Sequence, residues 1–168
     1  MRRLLRISVL LTGLLAIETG EAYAQQYRTY MLVPNIPGSS VEEDHKNWIE
    51  VLSMSQGVST IKKSVACSDV SIMKVLDQAG PALWAAAAVR QLFNEVRIEV
   101  VRSGGDFSGV VYDIRLTNAK VTSTQTSGSS ELPTESVSFS YEEITLTFNP
   151  QDAKGVIRPG TPQTITCQ

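Results

Sequence analysis

The chain has one histidine, His45, two cysteines, and no excess of positive charge: 15 Lys and Arg stand against 17 Asp and Glu over 168 residues, a formal net charge of −2. Each scarcity excludes a class of function. A serine or cysteine nucleophile usually borrows a histidine as base, and His45 sits in the charged run "EEDHK" with no nucleophile in a recognisable setting. Zinc wants four ligands at close spacing, whereas Cys67 and Cys167 lie a hundred residues apart. No basic stripe offers a footprint for nucleic acid. Beyond the first residues there is no apolar run approaching the roughly 20 residues that a membrane-crossing helix needs.

What is present begins with an export signal. Arg2, Arg3 and Arg6 precede an apolar stretch from Ile7 to Ile17, and Ala22-Tyr23-Ala24 has the small-x-small form of a signal-peptidase site. Residues 1–24 are therefore expected to be a leader cleaved after Ala24, with an uncleaved anchor as the rival reading. Residues 25–168 are expected to form one domain, secreted or periplasmic, with no membrane contact once the leader is gone. In an oxidising compartment a Cys67–Cys167 disulfide is plausible. It would close a loop of about 100 residues, worth about 4–5 kcal/mol by chain entropy. The alternative is two separate buried thiols.

Along the rest of the chain, "RTYMLVPNIPG" predicts a short strand ending in a turn, and "SSVEEDHK" a polar loop in which His45 is solvated. "NWIEVLSMSQGVS" predicts a strand stopping at Gly57, "TIKKS" a loop, and Val65 to Leu76 an extended segment. One helix is expected over about 80–90, with Pro81 in its first turn, where a missing N–H is harmless. Its surface is apolar nearly all round, so cover on most sides is expected. "EVRIEVVR" alternates, with Val96, Ile98 and Val100 on one face against Arg97, Glu99 and Val101. "SGGD" then supplies a hairpin turn, and "GVVYDIRLTNAKVT" returns with Val110, Tyr112, Ile114 and Leu116 together. "STQTSGSSELPTES" predicts a mobile polar loop, and "TITC" a closing edge strand.

The segment "ESVSFSYEEITLTFNPQ" breaks its own period. Val137, Phe139 and Tyr141 occupy odd positions, then Ile144, Leu146 and Phe148 occupy even ones. Both halves face one core only if the chain bulges near Glu142-Glu143. Six or seven strands, one helix and a mid-strand corner predict a mainly β fold, a compact barrel-like pair of antiparallel sheets.

Motifs for chemistry are weak. "GGDFSG" has its serine in the wrong register for a nucleophile elbow, "EEDH" lacks the alternating oxygens and turn glycine of a calcium loop, and Glu142 and Glu143, adjacent on a strand, point to opposite sides. "SGG" at Ser103 to Gly105 is a turn and not a phosphate cradle, because a strand follows it. No catalytic residue, metal or cofactor is expected.

The order of the segments resembles the Hcp (hemolysin-coregulated protein) family, the tube proteins of bacterial type VI secretion. "WIEVLSMSQGVS" is similar to a family strand, through Ile49, Val51, Leu52, Gly57 and Ser59. "DVSIMKVLDQAGPALWAAA" resembles the segment leading into the family's single helix, through Asp69, Val70, Lys74, Asp77, Pro81 and Leu83. "RIEVVRSGG" with "YDIRLTNAKVTSTQTSGS" resembles its hairpin, and "TESVSFSYEEITLTFNPQDAKG" its corner-turning strand, through Glu135, Val137 and Pro150-Gln151. The resemblance spans about Tyr30 to Gly155. It implies a homo-hexameric ring, rings stacked as a hollow tube, and effector proteins or other secretion components as partners. Ser59, Lys62, Lys63 and Ser64 would then lie in the loop that joins ring to ring. The chain departs from the family in its leader, in the shortness of the Gly57–Ser68 loop, and in Met54 and Gln56, where aromatics are frequent. The second reading is a stand-alone periplasmic or secreted binding protein on the same fold. A secreted hydrolase, with His45 as its base, is a third.

Overall fold

The computed structural model describes residues 26–61, 64–104, 107–128 and 132–167. The leader and its expected cleavage site, and the hairpin-loop residues Lys62 and Lys63, lie outside them.

The described chain runs β1 (Gln26–Leu32), β2 (Ile49–Ser55), β3 (Val58–Ile61), β4 (Ser64–Cys67), β5 (Val70–Val75), α1 (Gly80–Ala88), β6 (Leu92–Gly104), β7 (Phe107–Ser127), β8 (Thr134–Ser140), β9 (Glu143–Phe148) and β10 (Gln163–Thr166). Eight strands form one antiparallel sheet in the order β10-β9-β7-β6-β1-β2-β5-β8, and a further β7–β8 pairing brings the end strand β8 back onto β7. Six strands thus close a barrel, with β9 and β10 as a flap continuing from β7. Closure removes the free edges that an open sheet would expose. The expected mainly β, barrel-like fold with one helix is what forms.

The corner lies where the sequence places it. β8 buries Glu135, Val137 and Phe139, whereas β9 buries Ile144. Between them Glu142 donates its backbone N–H to Thr117 O at 3.0 Å and accepts the Asn118 amide at 2.6 Å. Asn118 has a positive φ of 53°, a conformation that asparagine tolerates better than most residues. This kink lets the 21-residue β7 hold β9 along Tyr112–Thr117 and β8 along Lys120–Ser127. Ile144 therefore meets Leu116, and Phe139 meets Val121, inside one core. Phe148 departs from the expectation: paired with Tyr112 at the outer end of the flap, it is exposed.

Four further expectations are corrected. The predicted loop "TIKKS" is part of a hairpin: Thr60 and Ile61 end β3 and Ser64 begins β4. The extended segment from Val65 breaks at Ser68-Asp69 into two strands, and with the added strand β3 and the split at the corner this brings the count to ten among the described residues. Most of the predicted polar loop is strand, because β7 runs on to Ser127 and β8 starts at Thr134. Cross-strand pairing of Ser123–Ser127 with β8 supplies what the polar side chains do not. The helix is covered on one side only: Gly80, Leu83 and Ala86 are buried, whereas Trp84 and Val89 are 48% and 73% exposed.

The two faces of β6 also differ from the simple alternation. Val96 and Ile98 point into the barrel as expected, but Glu99 is buried as well. The loop from Pro34 to Trp48 crosses the outer side of the sheet, where Tyr30 of β1 lies opposite Glu99. Val101 is buried too, beside a register shift between β6 and β7. The two arms of the loop meet closely at Gly38, where a Cβ would lie 2.3 Å from Trp48 O and 2.5 Å from Ile49 N.

Candidate functional site

His45 is not a solvated loop residue. It is 3% exposed, stacked on Tyr30 with ring centroids 4.5 Å apart and met edge-on by Trp48 at 4.8 Å. Its Nδ1 lies 2.6 Å from the Glu42 carboxylate and its Nε2 2.6 Å from that of Glu99. From Glu99 the network runs to Arg97 at 2.6 Å, on to Asp113 at 2.9 Å and then to Arg115 at 3.0 Å. Both imidazole nitrogens are occupied by carboxylates, so neither is free to take a proton from a nucleophile. The arrangement fastens a loop to a barrel wall.

Glu42 gives this fastening a pH dependence. Partial burial works to raise its carboxyl, but the hydrogen bond and charge of His45, with the amides of Asp44 and His45, outweigh it and hold the carboxyl below its ordinary value. A depressed folded-state value means stability that is fully present above the ordinary carboxyl range and lost as pH falls through the depressed one. Glu42→Gln should therefore flatten the acid limb of the urea midpoint against pH and leave the neutral limb's slope unchanged. An unaltered acid limb would count against this role.

A second ionic cluster lies beneath the helix. Lys74 is fully buried; its Nζ donates to Glu135 at 2.5 Å and to Val75 O at 2.9 Å, and forms an ion pair with Asp77 at 2.7 Å. Lys74 and Glu135 are direct cross-strand partners on β5 and β8. The first helical residue rests on the same carboxylate: a Cβ on Gly80 would lie 2.6 Å from Glu135 Oε1. The cluster positions the start of α1, where negative charge is favoured by the helix dipole. Its sequence signal was the parity of Glu135, which shares the inward face with Val137 and Phe139. Lys74 likewise shares the parity of Val70 and Ile72.

Of the residues singled out in the sequence, Cys67 and Cys167 form a disulfide, with Cα atoms 5.6 Å apart. Ser59 lies in β3 opposite Ala66, and Ser64 opens β4 opposite Ile61; both serines are exposed. These two therefore belong to one small hairpin. Among the described residues no group of three His, Cys, Asp or Glu side chains could hold a metal, and no helix is long and apolar enough to cross a membrane.

One unassigned feature is the outer side of α1. Ala82, Trp84, Ala85, Ala88, Val89 and, just beyond the helix, Leu92 are all exposed, and no charge interrupts the stretch from Gly80 to Val89. Contiguous apolar surface of this kind marks contact with another macromolecule.

A closed antiparallel barrel with one flanking helix, fastened by buried ion pairs and presenting apolar surface, defines a β-barrel scaffold protein. The family described as "Type VI secretion system effector, Hcp" matches residues 30–148, and the chain belongs to that family. Among solved structures it is similar to a type six secretion system protein at 27% identity and a TM-score of 0.76, covering 84% of this chain and 96% of that one. It shares its fold with Hcp1 of Salmonella typhimurium at 20% identity and TM-score 0.69 (83% and 94% covered). The same holds for the secreted protein Hcp3 of Pseudomonas aeruginosa, at 20% identity and TM-score 0.65 (86% and 99% covered). No curated protein matches the sequence.

Proposed function

We propose that this chain is a structural, self-associating subunit: six copies close into a ring of the type VI tube kind, a ring that works through its surfaces and can stack or carry effector proteins. The observation that carries the reading is the exposed, charge-free outer face of α1, which an isolated barrel leaves in water and a neighbouring copy would cover. Membership of the Hcp family supports it. The β3–β4 hairpin, with Ser59 and Ser64, extends from the barrel as the ring-stacking element. The leader directs the chain to the periplasm or beyond, an address that suits the disulfide. A stand-alone exported binding protein is the second reading, favoured by that same disulfide.

Native mass spectrometry of the purified protein should give a six-copy ring. Trp84→Glu places a charge in the centre of the covered face, and aromatic anchors of this kind carry about 2 kcal/mol or more each, roughly 30-fold in affinity. Rings should then dissociate at micromolar concentration while the circular dichroism of the barrel is unchanged. A chain that stays monomeric at high concentration, before any substitution, sinks the ring reading.

A further inference from the structure

The β3–β4 hairpin is a separate two-stranded sheet, and among the described residues no hydrogen bond joins either strand to the barrel. Its base is closed by Ser68, whose N–H and hydroxyl donate to Gly57 O at 2.9 and 3.1 Å. One hydrogen bond reaches the base from the barrel corner, from the Tyr141 hydroxyl to Ser68 O at 2.9 Å. Burial, helped by the charge of Asp69, raises the Tyr141 phenol above its ordinary value and so keeps it a donor. The remaining tie is covalent. Cys67 ends β4, and its disulfide partner Cys167 follows β10.

β10 is itself weakly held. It has four residues, pairs with β9 alone, and is reached through a loop containing Pro150, Pro159 and Pro162. Its anchors are four register positions on β9, the Thr145–Thr164 hydroxyl pair at 2.9 Å, a long bond from the Thr166 hydroxyl to Glu143 at 3.5 Å, the half-buried Ile165 against the core, the Cys167 N–H bond to Glu142 O at 2.9 Å, and the disulfide. Both cysteines are only partly buried, and they line an open hollow of about 310 Å³ beside Asp69 and Glu142. The pair is therefore not sealed inside the core.

We propose that Cys67–Cys167 is a redox latch: a dithiol reductant that opens it releases the hairpin and β10 together, while the six-stranded barrel stays closed. In the exchange, a thiolate of the reductant attacks one sulfur and expels the other as a thiolate, leaving a mixed disulfide. The reductant's second thiol then displaces the bound cysteine. Two electrons and two protons pass to the chain, which ends with two thiols, and the reductant ends as a disulfide. Neither cysteine lies in a barrel strand, so every pairing that closes the barrel survives. The apolar cavity of about 180 Å³ between Val58 and the inner face of the flap, at Leu146 and Ile165, opens when its walls separate. The latch acts within one chain and does not depend on ring formation.

The test is pulsed hydrogen exchange of the full chain, oxidised and after treatment with dithiothreitol, with free thiols counted by mass. Reduction should raise exchange in residues 57–61, 64–68 and 163–167 at least tenfold, and leave the described parts of β6 and β7 protected in a one-minute pulse. Binding of an apolar dye should rise several-fold, and reoxidation should reverse both. Unchanged exchange in the hairpin and β10 overturns the proposal. Loss of protection in β6 and β7 overturns it too, since the bond would then be a staple for the whole fold. Cys67→Ser with Cys167→Ser should reproduce the reduced pattern; if that variant does not fold, reduction of the folded native chain still decides.

Discussion

Replacing Glu135 by alanine should lower the unfolding free energy by about 3–5 kcal/mol, the range for removing one partner of a buried ion pair. Lys74 is fully enclosed, so its ammonium cannot turn to water once Glu135 is gone; Asp77 alone remains as counter-charge. The start of α1 also loses the carboxylate against which Gly80 rests. Glu135→Gln keeps an acceptor in place and should cost less than the alanine change. Exchanging both partners for apolar residues, Lys74→Met with Glu135→Leu, should be close to neutral, because the desolvation of two charges disappears along with their attraction. Urea unfolding measures all three. A loss below about 1 kcal/mol for the alanine variant would mean that water reaches Lys74 in solution.

His45→Ala should cost about 2–6 kcal/mol. The ring stack on Tyr30 and the edge contact with Trp48 are each worth about 0.5–1.5 kcal/mol. Leaving one oxygen of buried Glu99 without its donor adds about 1–3 kcal/mol. His45→Phe separates the two contributions, since it keeps the stack and discards both hydrogen bonds. A double-mutant cycle of His45 with Glu99 should give a coupling above about 1 kcal/mol, with Trp48 fluorescence reporting release of the loop. Additive single changes would show that the bond to Glu99 contributes nothing.

The parts of this fold that depend on chain-local chemistry were legible before the structure. Pro81 ahead of an alanine run marks α1, and the shift from Phe139 to Ile144 marks the corner. The parity argument was sound there because both halves pack against the same β7. What escaped was decided by contacts between distant segments. Ser123–Ser127 has the composition of a loop and is a strand because β8 lies beside it. His45 has the neighbours of a solvated residue and is buried because a loop folds over Tyr30 and Glu99. Thr60 and Ser64 belong to a hairpin whose apolar content is too small to show as alternation. The uncovered side of α1 was hidden for the opposite reason: an all-round apolar helix predicts cover without saying whether the same chain provides it.

The two sulfurs sit 100 residues apart, and the second follows β10, the last of the described strands. A chain that emerges from N- to C-terminus, from a ribosome or through a translocation pore, therefore cannot close this bond until every described strand has been delivered. The barrel must find its topology unaided, and oxidation records that it has. Molecules that stall or are clipped before Cys167 carry a lone thiol, and that is a chemical mark by which copies without the second cysteine differ from those that have it.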